Sequence, residues 1–222
     1  MEKRGHSIIG FLSIFTLTRL VVSTAFRMVY PFLPALSRGL GVPVESVALA
    51  VSARSALGFL GPVLGAASDV RGRKKALVVA LLVSGISLSA ISVIPNFLVF
   101  FWGMLISGGA TVIIDSSIHA YIGDKIPYEK RGRAAAIVEL GWSLAFVIGI
   151  PLVGWLMARE GWSAPFLWMG VAILMAGVLM ILYVPELPPV SSSMTQLKAG
   201  VKEIFRSEEH TLNSSHVSQS RM

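Results

Sequence analysis

Long apolar runs alternate with short polar breaks along this chain. Six runs are long enough for the roughly 20 residues that cross a hydrocarbon core: near 8–33, 46–67, 76–94, 97–122, 134–157 and 165–185. Two of them, ALVVALLVSGISLSAISVI and PFLWMGVAILMAGVLMILYV, contain no ionisable residue. Helix is the predicted state, because an isolated strand leaves its backbone groups unpaired in lipid. Glycine and proline inside the runs do not oppose this, since both are commoner in spanning helices than in soluble ones. The expected fold class is all-α: a polytopic membrane protein whose residues 1–185 form one six-span bundle.

The polar breaks orient the spans. Lys and Arg number fourteen in the N-terminal tail, the 68–75 and 123–133 connections and the stretch after 185. The alternate connections hold two, Arg38 and Arg159. Positive charge favours the cytoplasmic side, so both ends are expected in the cytoplasm and the chain in the plasma membrane. The N-terminal MEKRGHSIIGFLSIFTLTRL begins like a signal peptide. Its apolar region is too long and no small-residue cleavage site follows, so it is expected to be a retained first span.

Composition agrees with this class. Of 222 residues, 54% are hydrophobic and 14% charged, where a soluble domain carries about 25% charged residues. The net charge of +7 does not indicate nucleic acid, because the bases sit in short loops and form no continuous basic face. With no cysteine in the chain, disulfides and thiolate metal sites are excluded, and no cofactor is expected.

Charges inside the spans are the first candidate chemistry. Arg19, Arg27, Arg54, Asp115 and Glu139 lie within them, and His119 stands one turn from Asp115. At about 3 kcal/mol each for exposure to lipid at depth, such groups must line a cavity, pair or snorkel. They fall on spans one, two, four and five, never on three or six. At ~1.5 Å per residue, Arg27 and Arg54 lie ~10 Å from the outer surface, within snorkelling reach. Arg19 lies near the midplane, where Asp115 and Glu139 are the closest acids along the membrane normal, so it is expected to pair with one of them. With His119 neutral, the five charges sum to +1, which favours an anionic or zwitterionic solute. Trp142 is the tryptophan placed away from the span ends and is expected to line the same cavity.

The connection GAASDVRGRKKAL, residues 65–77, places an acid, two glycines and four bases between spans two and three. It resembles the signature of the major facilitator superfamily, with Gly65, Asp69, Gly72, Arg73, Lys74 and Leu77 on its positions and Val70 departing from it. The stretch YIGDKIPYEKRGRAAAI is similar to that family's connection between spans four and five, through Asp124, Pro127, Arg131, Gly132 and Arg133. The resemblance implies the N-terminal six-helix half of a twelve-helix secondary transporter that moves a small solute by alternating access. It implies a cytoplasmic gate in which Arg73 pairs with Asp124 and Asp69 meets a helix of the missing C-terminal half. It also implies that spans three and six support a cavity lined by the other four. GIPLVGW, with Gly149, Pro151 and Gly154, partly resembles a family antiporter motif and equally fits a packing kink. The Arg and Gln that precede the glycines of span four in drug:proton antiporters are absent from WGMLISGGATV, so neither that coupling route nor a drug substrate is expected.

Two other classes were weighed. DSSIHAY offers Asp115, Ser116, Ser117 and His119 for an intramembrane serine hydrolase, but all four lie on one helix and no G-x-S-x-G turn exists, so no enzyme is expected. A six-span channel or assembly subunit lacks a filter-like loop. After VPELPPVSSS the chain turns polar: residues 186–205 are expected to begin a cytoplasmic central loop, with MTQLKAGVKEIF a surface helix. Residues 206–222, RSEEHTLNSSHVSQSRM, resemble translated synthetic adapter DNA and are expected to be non-native.

Overall fold

The structure is a computed structural model that describes residues 8–61, 64 and 72–186. All regular structure among them is helical: α1 (Ile8–Arg27), α2 (Leu33–Leu40), α3 (Val44–Ala56) with a 3₁₀ turn over Leu57–Leu60, α4 (Arg73–Val93), α5 (Phe97–Lys125), α6 (Tyr128–Leu144), a π-helical turn over Ala145–Gly149, α7 (Ile150–Glu160) and α8 (Ala164–Tyr183). Gly65, Asp69 and the whole stretch after Glu186 lie outside the described residues.

The count of six spans is met only in part. Four segments among the described residues are long and apolar enough to cross a membrane: α4, α5, the continuous 128–160 segment and α8. A fifth exists if α2 and α3 with its 3₁₀ turn are one broken span, bent by 116°. The run expected over 8–33 ends as a helix at Arg27, and α2 is a separate short helix. The break has a local cause. Gly41 adopts a left-handed φ of 65° and its N–H bonds back to the Arg38 carbonyl, while Val42 N–H bonds to Ser37. This is a glycine-terminated helix end, and Pro43 then opens α3. The other ends move by a few residues, with α4 starting at Arg73 and α6 at Tyr128, because the basic connections join the helices that follow them.

Two sets of helix contacts differ in kind, although α5 also packs on α4 and α1 on α8. α4 and α8 lie against each other through small residues: a Cβ at Gly85 would stand 2.9 Å from the Gly170 carbonyl oxygen, and one at Gly170 2.8 Å from that of Gly85. Backbones approach this closely only where side chains are absent. α4 also packs on α5, where Ser84 and Ser107 share a buried hydrogen bond of 3.2 Å. Outward-facing Val79, Val83, Ile86, Met175, Val178 and Leu182 are exposed, as befits a lipid-facing surface.

The second set is α1 with α6, and α3 with α5. Gly141 admits α1 so closely that a Cβ there would stand 2.4 Å from the Thr16 carbonyl oxygen. Phe11, Phe15 and Tyr121 pack edge to face, with ring centroids 5.3 Å apart for Phe15 and Tyr121. The Tyr121 hydroxyl donates to the Pro185 carbonyl at 2.9 Å, tying the chain after α8 to α5. The π-helical turn answers to Pro151. A proline has no N–H and crowds the carbonyl four residues earlier, here Val147, and one wide turn absorbs both defects. Gly149, inside that turn, packs on the Thr24 side chain, and Gly154 faces Phe32. Gly149 and Gly154 thus permit close packing on either side of Pro151, within a segment that runs continuously from 128 to 160.

Candidate functional site

A cavity of about 180 Å³ opens between α1, α3, α5 and α6. Helical spacing explains which side chains reach it. Arg19, Ser23, Phe26 and Arg27 lie on one face of α1, three to four residues apart. Arg54 and Ser55 come from α3, with Gly58 in the 3₁₀ turn; Gly108, Thr111, Val112 and Asp115 come from α5 and Trp142 from α6. Of the six expected cavity residues, Arg19, Arg27, Arg54 and Asp115 line it, and Trp142 does too. Glu139 and His119 are not among its walls and join it through Arg19.

Arg19 is the centre of a charge network. Its Nη1 lies against Asp115 Oδ1, and its Nη2 is 3.3 Å from Glu139 Oε1 and 3.5 Å from Oε2. The Arg19 side chain is 12% exposed, those of Asp115 and Glu139 36% and 40%. The guanidinium is thus enclosed while its carboxylates are only partly covered by this bundle, although Glu139 Oε1 itself is buried against Arg19 and His119. His119 does not turn to Asp115 on its own helix; its Nε2 stands 3.3 Å from Glu139 Oε1 on α6. Three helices, α1, α5 and α6, are therefore joined by four titratable side chains.

The other two arginines are held differently. The Arg27 guanidinium lies 4.0 Å from the centroid of Trp142 and 4.5 Å from that of Phe146. It points sideways to α6 rather than running to the bundle end as a snorkelling chain would. Arg54 is 3% exposed. Its Nη2 donates to the Phe26 carbonyl at 2.9 Å, its Nη1 stands 3.6 Å from the Met104 sulfur, and its guanidinium lies 3.9 Å from the Phe26 ring centroid. A Cβ at Gly108 would come within 2.3 Å of Arg54 Cγ, so this glycine makes the room for the arginine stem. Its partner stands far away in the sequence, which is why only the fold reveals it.

At the basic end of the bundle, Gly72 has a φ of 89°, a backbone that glycine tolerates, and directly precedes α4. Arg73 contacts Asp124 and the Ala120 carbonyl on α5. Lys74 donates to the Ile181 carbonyl of α8 at 2.9 Å, and Lys75 stands 3.3 Å from Glu186. Arg131 donates its Nε–H to the Ile126 carbonyl at 2.9 Å, while Arg133 is exposed on α6. Gly65 and Asp69, the remaining residues of this set, are outside the described residues.

The hydrolase alternative finds no geometry. Ser116 donates to the Ile113 carbonyl of its own helix, and His119 is directed at Glu139. Among the described residues no cluster of three His, Cys, Asp or Glu could hold a metal ion.

Comparison with known proteins places this arrangement. Residues 15–213 match the Major Facilitator Superfamily. The uncharacterised MFS-type transporter YwfA of Bacillus subtilis is 29% identical over 140 residues, covering 63% of this chain and 34% of that protein. A multidrug resistance efflux pump, the PmrA homologue of Lactococcus lactis, is 30% identical over 170 residues, covering 74% and 42%. The fold matches the crystal structure of the POT family transporter PepTSo with a TM-score of 0.69 at 17% identity, covering 82% of this chain and 39% of that one. The chain spans between about a third and a half of the length of the curated relatives it matches. An all-helical bundle with apolar outer faces, an internal charge network and this match over most of the chain lead to one conclusion: the chain belongs to the Major Facilitator Superfamily, whose members here are membrane transporters and not enzymes.

Proposed function

We propose that residues 1–185 act as the N-terminal bundle of a secondary active antiporter that moves a small organic solute by alternating access. A second six-helix half would complete the cavity, with residues 186–205 opening the loop between halves, both ends of this chain in the cytoplasm and the bundle in the plasma membrane. The observation that carries the reading is the Arg19 guanidinium, shared between carboxylates of two other helices beside a cavity in the membrane interior. Such a pair is bistable. A solute or proton that neutralises one carboxylate leaves Arg19 to the other and changes how α1 sits on α5 and α6. The gate role belongs to the basic end: Gly65, Asp69, Gly72, Arg73, Lys74, Asp124, Arg131 and Arg133 would hold one state closed, with Arg73 at Asp124 as its latch. The efflux named for the PmrA homologue supports export for this chain as well.

These 222 residues contain no cysteine to compete with an introduced thiol, and any cysteine of the second half is replaced for the test. Thr111→Cys places a thiol in the cavity wall. In the transporter reconstituted with its second half, a membrane-impermeant maleimide applied to one face and then to the other should label it from both. Labelling from one face only, under all conditions of solute and pH, is the signature of a static structure and rejects alternating access.

A further inference from the structure

We propose that Arg54 and Arg27 form an anion-binding subsite of the cavity that takes the carboxylate of a small organic acid. The proposal rests on the transporter reading and names the class of solute. Its first support is a charge imbalance. Arg19, Arg27, Arg54 and Asp115 line the cavity, and Asp115 is taken up by Arg19. Among the described residues, no carboxylate comes within ion-pair distance of Arg27 or Arg54, so two positive charges stand unmatched in a low-dielectric wall.

The second support is the state of Arg54. It is buried, yet its partners are neutral, the Phe26 carbonyl, the Met104 sulfur and the Tyr30 side chain, and its Nε has no hydrogen-bond partner. A thioether is a weak acceptor, and a guanidinium presents five N–H donors suited to a planar carboxylate. Its cover from this bundle, Phe26, Tyr30, Met104 and Gly108, carries no counter-charge. Aromatic faces hold both guanidinium groups in place without cancelling their charge.

The third support is the chemistry of the wall this bundle supplies. Phe26, Val112 and Trp142 supply apolar wall, while Ser23, Ser55 and Thr111 supply hydroxyls. A carboxylate on a short or flat apolar body matches that division better than an inorganic anion, which has no use for the aromatic wall. Lipid phosphate shares the charge chemistry and is separated from a soluble acid by the experiment.

The test is equilibrium binding of radiolabelled benzoate to the 222-residue chain in uncharged maltoside micelles, with benzamide as the neutral isostere. Saturable benzoate binding is expected, with benzamide at least about tenfold weaker, and Arg54→Gln should weaken benzoate by at least about tenfold. Arg54→Lys keeps the charge and should recover part of the loss. If Arg54→Gln fails to fold, Arg27→Gln, on a half-buried side chain, is expected to weaken benzoate by about three- to tenfold. Equal affinity for benzamide, no saturable benzoate binding, or an unchanged affinity in a folded Arg54→Gln protein would each overturn the subsite. So would displacement of benzoate by inorganic phosphate at equal concentration, or by phosphatidylglycerol added to the micelles, since either would make phosphate the ligand. Binding is measured without transport. A chain that binds benzoate but fails the two-sided labelling test retains the subsite and loses the transporter reading; a transporter that labels from both faces but ignores benzoate does the reverse.

Discussion

α4 and α8 have apolar interiors and touch through Gly85 and Gly170; α1 and α6 also meet at a glycine, Gly141, but add Arg19, shared between Asp115 of α5 and Glu139 of α6. Both groups solve the same problem, holding helices together where lipid offers no hydrophobic drive for association. The first uses contact between bare backbones, which has one favourable spacing and no alternative partner. The second adds a guanidinium with two carboxylates within reach. On the proposed alternating-access reading, the first is the rigid support and the second the face that rearranges.

Removing the shared cation should break this comparison most severely. Arg19→Ala leaves Asp115 and Glu139 facing each other's charge in a half-buried site. Loss of transport is expected, with a destabilisation of about 2–4 kcal/mol, near the lower part of the range for breaking a buried pair because both carboxylates are only partly covered. Thermal unfolding in micelles and a flux assay check the two parts. On the supporting side, Gly170→Ala would force a methyl to within 2.8 Å of the Gly85 carbonyl oxygen. About 1–3 kcal/mol of stability should be lost to overpacking, while affinity for cavity anions stays within about twofold. A large change in anion affinity would show that the support and the cavity are not separable.

Much of this division was legible in the sequence. The two ion-free runs announced α4 and α8, and depth counting made Asp115 and Glu139 the acids nearest Arg19, within ~10 Å along the membrane normal. Where the structure went further, the information was non-local or conformational. The i, i+4 spacing of Asp115 and His119 pointed along one helix, whereas His119 faces Glu139 across to another. Only the fold shows the Arg54 stem against Gly108. Pro151 fitted a packing kink in the sequence, and the structure has a π-helical turn over Ala145–Gly149 just before it. Gly41 and Pro43, which stop a helix, already fall in the expected connection between the runs 8–33 and 46–67. The end of α1 at Arg27 and the short helix α2 are not signalled, because the apolar run continues past Arg27 to the start of α2.

Two smaller effects sharpen the comparison. Arg73→Gln removes the contact with Asp124 at the basic end, outside the cavity. Turnover should slow several-fold as the gated state loses its latch, solute affinity within each state should not change, and stability should fall by about 1–2 kcal/mol, because the half-buried Asp124 and the Ala120 carbonyl lose a charged partner. Stopped-flow flux with parallel binding measurements distinguishes the two readouts. Trp142→Leu removes the ring beneath Arg27. A loss of about 0.5–1 kcal/mol in stability is expected from the cation–π contact, together with a modest fall in benzoate affinity; no change in either would place Arg27 elsewhere.

The central claim is that Arg19 is held by carboxylates of other helices rather than turned to lipid. A double-mutant cycle of Arg19→Ala and Asp115→Ala, read by unfolding in micelles, measures this pairing directly. The account predicts a coupling of about 1–3 kcal/mol, with the double variant more stable than Arg19→Ala alone because the stranded carboxylate has been removed. Additivity within about 0.5 kcal/mol would contradict it.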